Sequence, residues 1–378
     1  MKQTDYSEIS PVDLQNPFRN PTEEPGYSPD YREILPMLDM PECRLPLNPQ
    51  QNERTALKRS FALSFLTLLF AFVTSYTIFI VLQTAVTVVL KHTDLQRLGE
   101  LPENYQMIVS QFMQDTAVNN ALTLISFTIG NLSAFLIGCR LTRIRKNDLF
   151  KLHGLSNTRT AAYVMLGLWI QMIAGYATGW LTEFLKQAKI PVYAPSISFS
   201  GSVSKNALLV LYVCLLGPIT EELLLRGFAL KNLSRVSQRF GIFLTALLFA
   251  LMHENLPQFM FTFPLGILLA YITIRHNSLT PAIITHICVN SAAVVLEYAR
   301  QLLPHSTGKK VEMIYTLLIL LLGTVALFYM LLTERMPDLT PHQSARTKRL
   351  VVTVPLFWIL IAVHLGMAMY ASYITLPF

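Results

Sequence analysis

Ala207-Leu-Leu-Val-Leu-Tyr-Val-Cys-Leu-Leu-Gly-Pro-Ile-Thr-Glu-Glu-Leu-Leu-Leu-Arg226 is an apolar run that ends in two adjacent glutamates and an arginine. The run belongs to an apolar block over residues 204–220, close to the roughly 20 residues that a helix needs to cross a bilayer core of about 30 Å. Similar blocks occupy residues 60–90, 121–139, 161–181, 257–274, 279–298, 312–333 and 351–376. A shorter one, Gly241 to His253, is counted as a ninth; its length also suits a buried helix or a re-entrant segment. With 52% hydrophobic and 14% charged residues, gathered in blocks, the chain has a membrane composition. The expected fold is therefore an all-α, polytopic transmembrane helix bundle of about nine spans.

The formal charge of +7 does not point to nucleic acid, because the basic residues border apolar blocks and form no separate domain. Arg54, Lys58 and Arg59 precede the first block, and Arg140, Arg143, Arg145, Lys146 and Lys151 follow the second. Lys231, Arg235 and Arg239 follow the fourth, and Arg346, Lys348 and Arg349 precede the last. Nine spans put all four clusters on one side; the positive-inside rule then makes that side, and the N-terminus, cytoplasmic in a cell membrane. Eight spans break the agreement.

Residues 1–53 read as a disordered, acidic, Pro-rich cytoplasmic tail, since the first fifty hold nine of the 21 prolines and nine acidic against four basic side chains. They lack the pattern of a cleavable signal peptide, so the first span is expected to be an uncleaved anchor. Residues 54–378 read as one helical membrane domain. Cys43, Cys139, Cys214 and Cys288 have no metal-ligand spacing and imply no disulfide framework.

Ionisable groups inside spans are costly and each is a functional candidate unless a structural partner explains it. Of the eight histidines only His253, His286 and His364 lie in apolar blocks, and the one carboxylate pair that interrupts such a run is Glu221 and Glu222. Glu222 and Arg226 are four apart and share a helix face, whereas Glu221 points about 100° away. One carboxylate is thus paired and the other is left over, the condition for a general base or acid near neutral pH. The alternative is an ion pair at the membrane edge with Glu221 facing water. His286 and Asn290 also share a face, as do Phe249 and His253. A His and an Asn one turn apart can direct two donors at a developing oxyanion, or can hydrogen-bond between helices. His364 is a lone histidine and receives no role. Counted by depth, His286 and Glu221 lie similarly far into their spans and His253 deeper, so the short block must start late, tilt or be re-entrant to unite them.

Other chemistries lack their residues. His253-Glu254 is followed by Asn255, Leu256 and Pro257, so the H-E-x-x-H signature is absent. No aspartate pair is buried in the blocks, and there is no phosphate-cradling glycine loop.

Glu-Glu-x-x-x-Arg at 221–226, Phe-x-x-x-His at 249–253 and His-x-x-x-Asn at 286–290 occur in that order. Together they resemble the CAAX-prenyl endopeptidase and bacteriocin-processing family of intramembrane proteases, also called CPBP or Abi proteins. Gly217-Pro before the glutamates, Arg226-Gly-Phe after them and Asn277-Ser-Leu-Thr-Pro-Ala before the third motif agree, and the resemblance covers a core at about 205–295. It implies that Glu221 and His253 activate a water, that His286 and Asn290 stabilise the oxyanion, and that Glu222, Arg226 and Phe249 support them. It also allows a metalloprotease, in which Glu221, His253 and His286 ligate Zn2+; ligand types alone leave the zinc and metal-free pictures open. In both, a peptide or protein at the lipid bilayer is the substrate and nucleic acid is no partner. Two other readings stand beside this one: a non-catalytic peptide-binding or immunity protein, and a transporter, for which no internal repeat is visible.

Overall fold

The computed structural model describes residues 49–98, 105–144, 149–150, 156–193, 199, 203–235, 237–333 and 349–374. The tail lies almost entirely outside the described residues, as do Arg145, Lys146, Lys151, Arg346 and Lys348. Within the described residues every regular element is a helix. They are α1 (Pro49–Leu98), α2 (Tyr105–Gln114), α3 (Thr116–Thr142) and α4 (Asn157–Gln187). The composite helix α5 then runs from Val203 to Leu233, followed by α6 (Gln238–Leu251), α7 (Leu256–His276), α8 (Thr280–Leu302), α9 (His305–Thr333) and α10 (Pro355–Ile374). Every apolar block becomes a helix, as the composition predicts. Eight are long and apolar enough to cross a membrane, and the protein is a multi-pass membrane protein.

The exception in length is α6. Its 14 residues rise roughly 21 Å, short of the bilayer core. Ser237 caps its start by accepting from Phe240 N–H, and the chain turns back at Met252 into α7, whose cap Asn255 accepts from Gln258 N–H. This early reversal is what brings His253 into reach of the glutamates, the step that counting residues by depth left hardest.

Three contacts fix the ends of the bundle. Ser60 of α1 bonds Asn232 at the end of α5. Leu279 N–H, in the turn between α7 and α8, donates to Leu149 O beyond α3 at 2.8 Å. Leu149 and Leu279 also meet around Gly227 of α5. Arg54, Lys58 and Arg59, Arg140 and Arg143, and Lys231, Arg235 and Arg239 therefore gather at one end; the parity that would add Arg349 to them needs the short α6 to count as a ninth crossing, beyond the eight helices long enough to span.

The core is apolar and close-packed. Phe61, Phe65 and Leu68 of α1 pack with Leu224, Leu225 and Phe228 of α5 and with Leu248 and Phe249 of α6. A second cluster joins Tyr163 and Leu166 of α4 to Leu265 and Leu269 of α7 and Val289 of α8. Small residues allow these approaches, as expected where helices pack without a hydrophobic drive between them. A Cβ on Gly138 would lie 2.7 Å from the Phe228 ring, and one on Gly266 3.1 Å from the Ala246 Cα.

Candidate active site

The glutamates occupy a single α-helical turn, Gly217–Glu222, between two wider π-helical stretches, Leu211–Leu216 and Leu223–Ala229. Such insertions are rare and mark functional positions. Their cause lies partly in Pro218, which has no N–H to give. Gly217 N–H reaches back five residues to Tyr212 O. In that register Val213 O falls to Pro218, which cannot donate. Asn290 Nδ2 on α8 takes that place, donating to Val213 O at 2.9 Å.

Glu222 and Arg226 are completely buried. Arg226 Nη1 donates to Glu222 Oε1 at 2.9 Å and Nη2 to Gly266 O at 3.2 Å, while the guanidinium lies over the Phe249 ring, 4.6 Å from its centre. His286 Nδ1 also lies 2.9 Å from Glu222 Oε1. A carboxylate oxygen accepts, so Nδ1 carries the proton and Nε2 is turned outward. It faces Glu221 Oε2 at 3.8 Å. Phe249 thus braces both histidines, edge-on to His253 at 4.9 Å and to His286 at 5.6 Å between ring centres.

The expectation that one glutamate is paired and the other left over describes this geometry: Glu222 is enclosed, whereas the Glu221 side chain keeps 24% of its surface. Glu221, His253 and Asn290 line one cavity of about 310 Å³, together with Tyr212, Pro218, Tyr76 and Glu254. His253 Nδ1 bonds Phe249 O at 2.8 Å, leaving Nε2 as its free ring nitrogen. His253 lies in the turn between α6 and α7, outside the candidate spans, and burial pushes its imidazolium pKa below the ordinary histidine range, with Glu221 opposing.

Of the residues singled out by sequence, the structure brings Glu221, Phe249, His253 and Asn290 to the cavity wall and sets Glu222, Arg226 and His286 behind it. Asn290 differs from its expected part in that one amide N–H is spent on Val213 O; the other remains. The donor set Glu221, His253 and His286 suits zinc by chemistry but not by arrangement. Among the described residues no group of three His, Cys, Asp or Glu side chains lies close enough to share a metal ion.

Sequence reasoning missed a further set. His364, read as a lone histidine, is paired: its Nδ1 lies 3.0 Å from Glu254 Oε1, and Tyr76 donates to Glu254 Oε2 at 2.8 Å. An available signal was that a glutamate follows His253 directly while a second histidine stands in an apolar block, two groups that lipid would drive together.

No curated protein and no solved structure matches the chain. A family model does, over residues 203–292, and its description is "Type II CAAX prenyl endopeptidase Rce1-like". The matched stretch holds Glu221, Glu222, Arg226, Phe249, His253, His286 and Asn290, the same residues whose spacing carried the resemblance. Residues 203–292 thus match the Rce1-like endopeptidase family model, within a multi-pass helical membrane protein.

Proposed function

We propose that the protein is an intramembrane endopeptidase that hydrolyses a peptide bond of a membrane-associated peptide or protein with a water activated by Glu221 and His253. The observation that carries this reading is the contrast between the two glutamates. Glu222 is spent on Arg226 and His286, whereas Glu221 reaches a cavity that also holds the free edge of His253. A carboxylate beside a neutral imidazole in a confined space is a base pair for water. Glu221 takes a proton as the water oxygen adds to the scissile carbonyl. The oxyanion receives N–H groups from Asn290, through the donor not given to Val213, and from His286 Nε2 when the ring carries both protons. Glu221 then passes its proton to the amine nitrogen as the C–N bond breaks.

The supporting parts are electrostatic. Glu222 fixes the proton on His286 Nδ1 and orients the ring, and Arg226 balances the buried carboxylate. The basic end of the bundle supports a cytoplasmic N-terminus, with residues 54–378 as the membrane domain and 205–295 as its catalytic core. The test is hydrolysis of apolar peptides in detergent by wild type and by His253→Phe, with and without chelator. The reading predicts cutting by wild type in both buffers and none by the variant; cutting by His253→Phe at the wild-type rate refutes it.

A further inference from the structure

The cavity has a second polar wall that the proposed reaction leaves unused. Glu254, next in sequence to His253, has a backbone φ of 56°, in the left-handed region that side chains with a Cβ occupy at a cost. The turn around it is closed by His253 N–H to Ala250 O at 3.3 Å and Glu254 N–H to Leu251 O at 3.1 Å. The positive φ is a backbone cost that these bonds must offset. The carboxylate adds a further hold, gripped on both oxygens by helices from opposite ends of the sequence. Tyr76 of α1 donates to Oε2 at 2.8 Å, and His364 Nδ1 of α10 bonds Oε1 at 3.0 Å. His364 is itself buried and braced edge-on by Phe72 at 5.1 Å. On the other side of the turn, Asn255 Nδ2 donates to His253 O at 2.6 Å and Phe249 O takes His253 Nδ1.

We infer that Tyr76, Glu254 and His364 are positioning residues, a clamp that holds the turn so that His253 faces Glu221. Both Glu254 oxygens are engaged, which leaves the carboxylate to orient its neighbour rather than to act on substrate. Two of the three members, Tyr76 and His364, lie outside the stretch matched by the endopeptidase family. The flanking helices α1 and α10 thus take a part in the site that the core alone cannot supply. The kinetic part of this inference rests on the protease reading; the structural part does not.

Glu254→Gly separates the clamp from the backbone, since glycine accepts the positive φ without cost and removes the carboxylate. The clamp predicts that kcat falls roughly tenfold or more while KM stays within about twofold, because a displaced base impairs chemistry rather than binding. The variant loses some stability, because Tyr76 and the buried His364 lose their acceptor, but it remains folded at the assay temperature. Tyr76→Phe and His364→Leu each lower kcat in the wild-type background and have no further effect beside Glu254→Gly. His364→Asn, whose amide can stand where Nδ1 stands, restores most of the rate. Hydrogen exchange of peptides spanning residues 250–256, read by mass spectrometry, rises roughly tenfold in Glu254→Gly without a change elsewhere. Wild-type kcat in Glu254→Gly, or unchanged exchange in that turn, overturns the clamp. If wild type hydrolyses no peptide, the protease reading falls, and the exchange measurement still decides the clamp.

Discussion

His286 and Arg226 meet on a single oxygen: Glu222 Oε1 lies 2.9 Å from His286 Nδ1 and 2.9 Å from Arg226 Nη1. The carboxylate and guanidinium are fully buried, so the pair is held by geometry rather than by water. Glu222→Gln would leave a buried guanidinium uncompensated and is expected to cost about 3–5 kcal/mol. Arg226→Met alone should cost a similar amount, and the double variant markedly less than the sum. Unfolding by detergent titration measures this; a loss under about 1 kcal/mol for Glu222→Gln, the range of an exposed pair, would contradict the burial argument.

Asn290 and Pro218 form a second coupled pair. Asn290→Ala leaves Val213 O without its donor and is expected to destabilise the fold by about 1–3 kcal/mol. Pro218→Ala supplies the missing N–H, so the double variant should regain part of that stability while remaining inactive. Independent, additive losses in the two variants would show that Asn290 does not repair the proline gap.

Gly266 lets α6 and α7 approach and leaves its carbonyl open to Arg226 Nη2. A Cβ there would press on Ala246 at 3.1 Å and on the Phe249 ring at 3.1 Å. Gly266→Ala is expected to cost about 1–3 kcal/mol by overpacking and to lower turnover, because the displaced ring also braces both histidines. Full turnover together with wild-type stability would contradict this packing.

The lowered pKa of His253 has two consequences of known sign. The imidazole stays neutral to a lower pH than an ordinary histidine, so the acid limb of activity should fall below about 6.5. The unfolded chain takes up this proton first, so stability should decline as pH drops below that value, until the folded pKa is reached. His253→Phe should flatten the decline. An acid limb at or above the ordinary histidine value would contradict the burial of this ring.

The sequence made much of this arrangement legible, because lipid leaves few choices. Apolar blocks near the bilayer length became helices, and the four-residue spacing of Glu222 and Arg226 became an ion pair. The excess of Glu221 became a carboxylate in a cavity. What stayed hidden depends on relations between segments. The 50-residue α1 outruns its apolar block because helix continues into polar flanks that no lipid demands. The π-helical register of α5 needs Pro218 to withhold a proton from Val213 O and an asparagine 77 residues beyond Val213 to supply one. The pairing of Glu254 with Tyr76 and His364 joins three distant positions, none of which reveals its partners locally.

The central claim, that Glu221 activates the attacking water, is tested most directly by comparing wild type with Glu221→Gln on apolar peptides in detergent micelles. Products are read by mass spectrometry, and unfolding is measured on the same samples. Wild type should cut and Glu221→Gln, folded to the same midpoint, should not; cleavage by Glu221→Gln at the wild-type rate would contradict the account.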